Sequence, residues 1–346
     1  MTLVAVVNAG STSLKLRLVG ADEAVSTLDS LASAPAGVAA VGHRVVHGGA
    51  RFRDPVVIDR GVKDAIAALS TIAPLHNAPA LAAIEQAQQA LPGVPHVAVF
   101  DTAFHATIPE EAARYAVPER WAEEWGIRRY GFHGLSVAWA AEQVAVRRLI
   151  VCHLGGGCSV TAVLDGRSVD TTMGFSPLEG VPMTTRAGSV DPGALLYLLR
   201  ERWCSLDQLD HALEHESGLK GISGRSGDIR ELEAALAAGD ARARLALGVY
   251  VHRIGAAVGA MAASLGGLDA LVFTAGVGEG SAWVRQQVCA RLGFLGVALD
   301  PAKNHEARPD ADIATGGSAV RVLVLRAREE LVIARAVRAL GYGASP

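Results

Sequence analysis

The chain has 346 residues, half of them hydrophobic, with a formal net charge of -3 and a pI near 6.4. That length exceeds what one hydrophobic core usually organises, so two domains with a cleft between them are expected, and the charge balance excludes a broad basic field for a nucleic-acid backbone. Cys152, Cys158, Cys204 and Cys289 show no paired metal-ligand spacing, which fits reduced, packed thiols and a cytosolic setting better than a disulfide framework.

Residues 3–7 read as a buried strand, too short for a signal-peptide core and with no basic segment before it. Residues 8–13 follow as a polar turn and Leu14–Val19 as a returning strand, together a hairpin with a hydroxyl-rich tip. Helical periodicity covers 61–70 and 78–90, and His96–Phe100 is a strand ending at Asp101. A second hairpin spans 149–164, where "LIVC" runs through "HLGGGCS" into "VTAVL". Its recurrence suggests a duplicated architecture with one phosphate-facing turn in each half. Pro192, with Asp191 as cap, opens a helix through Arg202. Ala241–Leu265 forms a long helix ended by Gly266 and Gly267; its uncharged stretch, 254–268, falls short of the roughly 20 residues a membrane span needs. Residues 270–278 form a strand entering a Gly-rich turn, and a strand at 320–325 and a helix at 329–340 close the chain. The class is α/β with mixed sheets. The domains are expected at 1–103 plus 331–346, and at 104–330.

Several segments carry chemistry. In "NAGSTSLK", Asn8, Ser11, Ser13 and Lys15 offer hydroxyls, a glycine-freed backbone and an ammonium to phosphates, though the string is also ordinary turn chemistry. In "HLGGGCS", Gly155, Gly156 and Gly157 let the backbone approach a ligand, or simply make a flexible turn; no Walker A lysine follows. "FTAGVGEG" again ends an apolar strand in glycines. Arg44, His76, His133, His153 and Arg186 sit in Gly-rich or apolar segments where cations could meet carboxylate or phosphoryl oxygens. Asp101, at a strand end, suits magnesium or an orienting role. Glu329 and Glu330 could do the same, or could only satisfy a helix dipole.

At these residues the chain resembles the acetate kinases: "NAGSTSLK", "GHRVVHGG", "APLHN", "VFDTAFH", "YGFHGLS", "CHLGGGCS", "MGFSPLEG", "TTRAGSVDP" and "FTAGVGEG" occur in that family's order. The resemblance implies the acetate and sugar kinase, Hsc70 and actin superfamily: two ribonuclease H-like domains closing over ATP and Mg2+, in a homodimer. It assigns Asn8, Ser11, Ser13 and Lys15 to one phosphate hairpin and His153, Leu154, Gly155, Gly156 and Gly157 to the other. Asp228, Ile229 and Arg230, with Gly276, Val277, Gly278, Glu279 and Gly280, match the adenosine segments. Arg44 corresponds to the arginine that orients the acyl carboxylate, Arg186 to the one on the transferring phosphoryl group, and His133 to the histidine serving that transition state. Asp101 and Glu329 match acidic residues tied to magnesium and catalysis, Asn8 joining Glu329 at the metal. Val46, Leu75, Phe132 and Pro177 match the methyl pocket. The chain departs from the family where Gly156, Gly280 and Arg328 replace asparagines, and its segment before "GHRVVHGG" is short.

The function so implied is direct in-line transfer of the ATP γ-phosphoryl group to acetate, giving acetyl phosphate and ADP. A carboxylate is already a nucleophile, so positioning and charge neutralisation carry the work. The rivals are a propionate or butyrate kinase and a nucleotide-binding regulator without turnover; Val46 is bulky enough to favour acetate. ATP and acetate are the expected ligands, with neither nucleic acid nor membrane as partner.

Overall fold

The computed structural model describes residues 2–9, 14–71 and 74–343. Its frame is two six-stranded sheets. The first holds β1 (Leu3–Ala9), β2 (Leu14–Val19), β3 (Val25–Thr27), β4 (Val38–Val45), β5 (Val56–Val57) and β6 (His96–Phe100) in the order β3-β2-β1-β4-β6-β5. The second holds β7 (Arg148–Leu154), β8 (Cys158–Leu164), β9 (Arg167–Thr171), β10 (Ala270–Thr274), β11 (Ala311–Asp312) and β12 (Arg321–Val324) in the order β9-β8-β7-β10-β12-β11. Each begins as an antiparallel meander, continues through two parallel pairings and ends on a short antiparallel edge strand. The duplication inferred from two distant hairpins is therefore a duplication of whole sheets.

The central strands are apolar on both sides because helices cover both faces; every residue of β6 and β10 is buried. The helix Gly134–Val144 lies between the halves. Its Leu135 and Trp139 pack with Val4, Val6 and Val99 of the first sheet, while Val137, Ala140 and Val144 pack with Val151 and Val272 of the second. The closing helix, Glu329–Ala339, returns to β1 and β4 through Ile333, Ala334 and Val337. It lies so close that a Cβ on Gly42 would stand 2.4 Å from Ile333 Cγ2.

Several expected elements shift. Asn8 is not in a turn: β1 runs on to Ala9, pairing Asn8 with Lys15 and Ala9 with Leu14. The expected Gly-rich turn after β10 is a helix, Ala275–Gly280, since those glycines take helical angles once Ala275 has turned the chain at φ 65°. The helix from Pro192 stops at Arg200, and the one expected over 78–90 begins at Pro74. Ala241–Leu265 ends as expected on Gly266 in the left-handed region, and Asp240 caps its start. Its 25 residues and hydropathy would suffice to cross a bilayer, but half of its most apolar window is buried in the protein, and Arg242, Arg244, His252 and Arg253 lie on its other side. All four cysteines are free, Cys204 alone being partly exposed.

Candidate active site

The parallel strands of the first sheet deliver Arg44 and Asp101 side by side, because β4 and β6 are in register from Val41 with His96 to Val45 with Phe100. The Arg44 guanidinium donates from Nε to both Asp101 oxygens at 3.1 Å and from Nη2 to Oδ2 at 2.5 Å. Its Nη1 donates to Asn8 Oδ1 at 3.1 Å, and Asn8 Nδ2 donates to Glu329 Oε2 at 2.7 Å. Neighbouring strands and the closing helix thus meet in one chain of polar contacts. Burial works to lower the pKa of Arg44, but Asp101 and Glu329 hold it well above the ordinary arginine range. Burial pushes the Asp101 carboxyl up, against the pull of Arg44 and of the His133 backbone amide. Glu329 ends below its ordinary value although burial opposes this, because Arg44, Asn8 and Lys15 favour its anion.

A second group comes from the other half. His133 sits at φ 61°, a left-handed conformation that costs a non-glycine residue roughly 1–2 kcal/mol. It leads directly into the helix Gly134–Val144 and puts the His133 amide on Asp101. The His133 and His153 rings stack at 4.0 Å between centroids, and the two Nδ1 atoms face Ser159 Oγ at 3.0 Å and Ser136 Oγ at 2.8 Å. Burial holds His153 neutral, at about 4, and His133 well below the usual range. Arg186 Nη1 donates to Pro177 O at 2.7 Å. Between β7 and β8 the glycine turn closes through Gly155 N to Gly157 O at 3.0 Å. A Cβ on Gly157 would lie 3.0 Å from Arg186 Nη2 and 3.2 Å from His133 Nε2, so both side chains converge on that backbone. Arg44 and Arg186 both help to depress the pKa of His133, which joins the two groups electrostatically.

Of the expected pocket, Val46 and Phe132 are buried in one core cluster and Pro177 lies beside Arg186. Ser11 and Ser13 lie outside the described residues, as do the side chains of Leu75 and His76. Lys15 is exposed, yet its charge reaches Glu329 and His153. Asp228 caps the helix Ile229–Ala237 and binds Arg230, which lowers its pKa to about 2. That turn reaches the glycine turn through Gly227, where a Cβ would stand 2.4 Å from Thr184 O, while Thr184 N donates to Gly156 O at 3.4 Å. In the helix Ala275–Gly280, Gly278 is buried, Glu279 accepts from Ala327 N, and a Cβ on Gly276 or Gly280 would meet nothing within 4 Å.

Other contributors were not foreseen. Buried Asn77 holds both backbone groups of His47 at 3.1 Å, and the His47 ring lies 5.4 Å from Phe132. Ser136 and Ser159 fix the histidine rings. Buried Arg285 grips Gly278 O at 2.9 Å and Glu279 O at 2.8 Å and so secures the end of that helix. Its position was a usable signal: it shares a helix face with Val284, Val288 and Cys289.

The acetokinase family model matches residues 21–335. This chain belongs to the acetokinase family. The acetate kinase of Nostoc punctiforme is 56% identical over 303 residues, covering 85% of this chain and 75% of that protein. That of Gloeobacter violaceus is 54% identical over 310 residues, covering 87% and 76%. Among solved structures, a propionate kinase from Francisella tularensis superposes with a TM-score of 0.89 at 34% identity, covering 97% of this chain and 99% of that one. The acetate kinase of Porphyromonas gingivalis gives 0.87 at 34%, covering 98% and 100%. The duplicated α/β architecture is therefore the actin-like one of the family, as expected from the sequence.

Proposed function

We propose that this protein transfers the γ-phosphoryl group of ATP to acetate, reversibly and in line, forming acetyl phosphate and ADP. The observation that carries this is the convergence of Arg186 Nη2 and His133 Nε2 on the Gly157 backbone, next to the Arg44–Asp101 pair. Arg44 orients the acetate carboxylate, and Asp101 holds Arg44 in a fixed plane. With Nδ1 accepting from Ser159, His133 presents Nε2–H to an equatorial phosphoryl oxygen. Arg186 faces the same oxygens, and the glycine turn between β7 and β8 cradles the phosphates. Asp228, Ile229, Arg230 and residues 276–280 border the adenosine. Val46, Phe132 and Pro177 enclose the methyl group; Leu75, which the resemblance also assigns there, has its side chain outside the described residues.

The donor set fits a magnesium ion. With His133 and His153 neutral, the Arg44, Asp101 and Glu329 cluster alone sums to one negative charge, which suits a cation there. Among the described residues no three His, Cys, Asp or Glu side chains could hold a metal together, which suits an ion bound by one or two carboxylates and substrate phosphates. Glu329 and Asn8 would hold it, with Asp101 close by; when bound, it neutralises charge building on the β- and γ-oxygens.

The domain division at 1–103 plus 331–346 and 104–330 accords with the closing helix lying on the first sheet. A homodimer accords with exposed Leu196, Tyr197, Trp203, Leu206, Leu245 and Phe294, all in the second half. Free thiols accord with the cytosol.

A second reading, propionate kinase, is favoured by the Francisella neighbour; one methylene is worth only about 1–3 kcal/mol in such a pocket. A hydroxamate assay with MgATP and acetate, propionate or butyrate separates these. Acetate should give the highest kcat/KM. A larger value with propionate would move the assignment, and no product with any acid from folded protein would remove it.

A further inference from the structure

The segment bearing Arg186 is laced to a turn some thirty residues further on. Ala187 N donates to Leu213 O at 3.0 Å, Ser217 N to Thr185 O at 2.9 Å and Thr185 Oγ1 to Glu214 O at 2.8 Å. Gly218 approaches so closely that a Cβ there would lie 2.7 Å from Arg186 O. Between these ties the helix Leu206–His211 widens into a π turn, Ala212–Glu216, a rare geometry that recurs at functional sites. The result is that Glu214 Oε2 stands 3.8 Å from Arg186 Nε, with 16% and 11% of the two side chains exposed. Arg186 therefore has a carbonyl on Nη1, a carboxylate beside Nε and the glycine turn in front of Nη2.

We infer that Glu214 is a built-in counter-charge that tempers the grip of Arg186 on phosphoryl oxygens, a positioning residue that acts through the arginine without touching substrate. The inference rests on Arg186 as the phosphoryl contact. A carboxylate this close and this shielded offsets part of the arginine's field before any anion arrives, so the anion binds against a competitor. Arg186 also meets phosphoryl oxygens in the ground state, and weakening that uniform part of its grip favours release over retention, since interactions made equally in ground and transition states do not raise kcat.

The probe is inorganic sulfate, a tetrahedral dianion, titrated by calorimetry against the full chain, with MgATP kinetics in parallel. Glu214→Gln should bind sulfate about 3- to 30-fold tighter and lower the KM for ATP, with no proportionate rise in kcat. Glu214→Asp should return towards the parent affinity. In an Arg186→Ala background the same Gln substitution should change sulfate affinity little, because the two act as one unit. Unchanged or weaker sulfate binding in folded Glu214→Gln would overturn the inference, as would a tightening that persists without Arg186. Failure of the parent protein to form any acyl phosphate would instead strike the kinase assignment, and the sulfate titration would still decide the counter-charge.

Discussion

Arg186 and Arg44 are both half-buried arginines, but they are held differently. Arg44 is locked in a fork with Asp101 and a further bond to Asn8, so its direction is fixed before substrate arrives. Arg186 has one carbonyl partner and a looser carboxylate, which leaves Nη2 directed at the glycine turn. Arg186→Ala should thus remove a contact made mainly as charge spreads over the transferring phosphoryl group. We expect kcat to fall on the order of 10²- to 10³-fold with a smaller change in the KM for acetate. Steady-state kinetics on a variant with an unaltered circular dichroism spectrum test this, and an unchanged kcat would discard the role. Gly156 and Gly280, where the family resemblance expects asparagine, make a contrast: a Cβ at either meets nothing within 4 Å, and neither is in the left-handed region. The backbone does not demand glycine at either place, so an asparagine there would add a side chain without reshaping the chain around it.

Among elements, the junction between β6 and the helix Gly134–Val144 sets the distance between the two halves of the site. A Cβ on Gly134 would stand 1.9 Å from Asp101 O, a backbone atom that no rotamer change can move. Gly134→Ala should force the helix start away from β6, break the His133 amide contact with Asp101 and cost about 1–3 kcal/mol. The expected result is a lower urea midpoint together with reduced kcat; full stability with full activity would mean the junction is compliant. This close approach could not be read from the motif "YGFHGLS", which shows a glycine but not what lies over it. The strands were legible because long apolar runs bounded by Gly, Asn and Ser have few alternatives, and the long helix because Asp240 and Gly266 punctuate it. The helix at Ala275–Gly280 was missed because glycine is a poor helix former, and here tertiary anchors decide: Arg285 on its last carbonyls and Gly278 packed on Phe273. Glu214 was illegible for a similar reason. The π turn that brings it beside Arg186 spans only Ala212–Glu216, too few residues for a change of hydrophobic period to show in the sequence.

At the scale of the whole molecule, both halves bury histidines in neutral form, and this sets how stability follows pH. Burial lowers His43 to about 3 and His47, His105 and His153 each to about 4, from an ordinary 6.5. His43 Nε2 meets His96 Nδ1 at 3.0 Å and His96 Nε2 meets Leu91 O at 3.1 Å, while buried His43 Nδ1 has no hydrogen-bond partner among the described residues. A proton arriving there would have to enter the buried interior of the first sheet. The unfolded chain takes up protons on these rings near pH 6.5, whereas the folded chain refuses them until about pH 4 or below. The stabilisation is thus complete above about pH 6.5 and is lost as the pH falls towards 4, by up to about 1.4 kcal/mol per pH unit for each ring. Asp101 and Glu214, raised by burial, work in the opposite sense, but they are fewer than the four histidines. The urea midpoint should therefore drop steeply between pH 7 and pH 5. A double variant, His43→Leu with His96→Leu, removes one titrating pair from the first sheet without touching the active site and should show a shallower drop. Equal midpoints at pH 7 and pH 5 in the parent protein would show that the rings admit protons while folded, and that the halves open enough to solvate them.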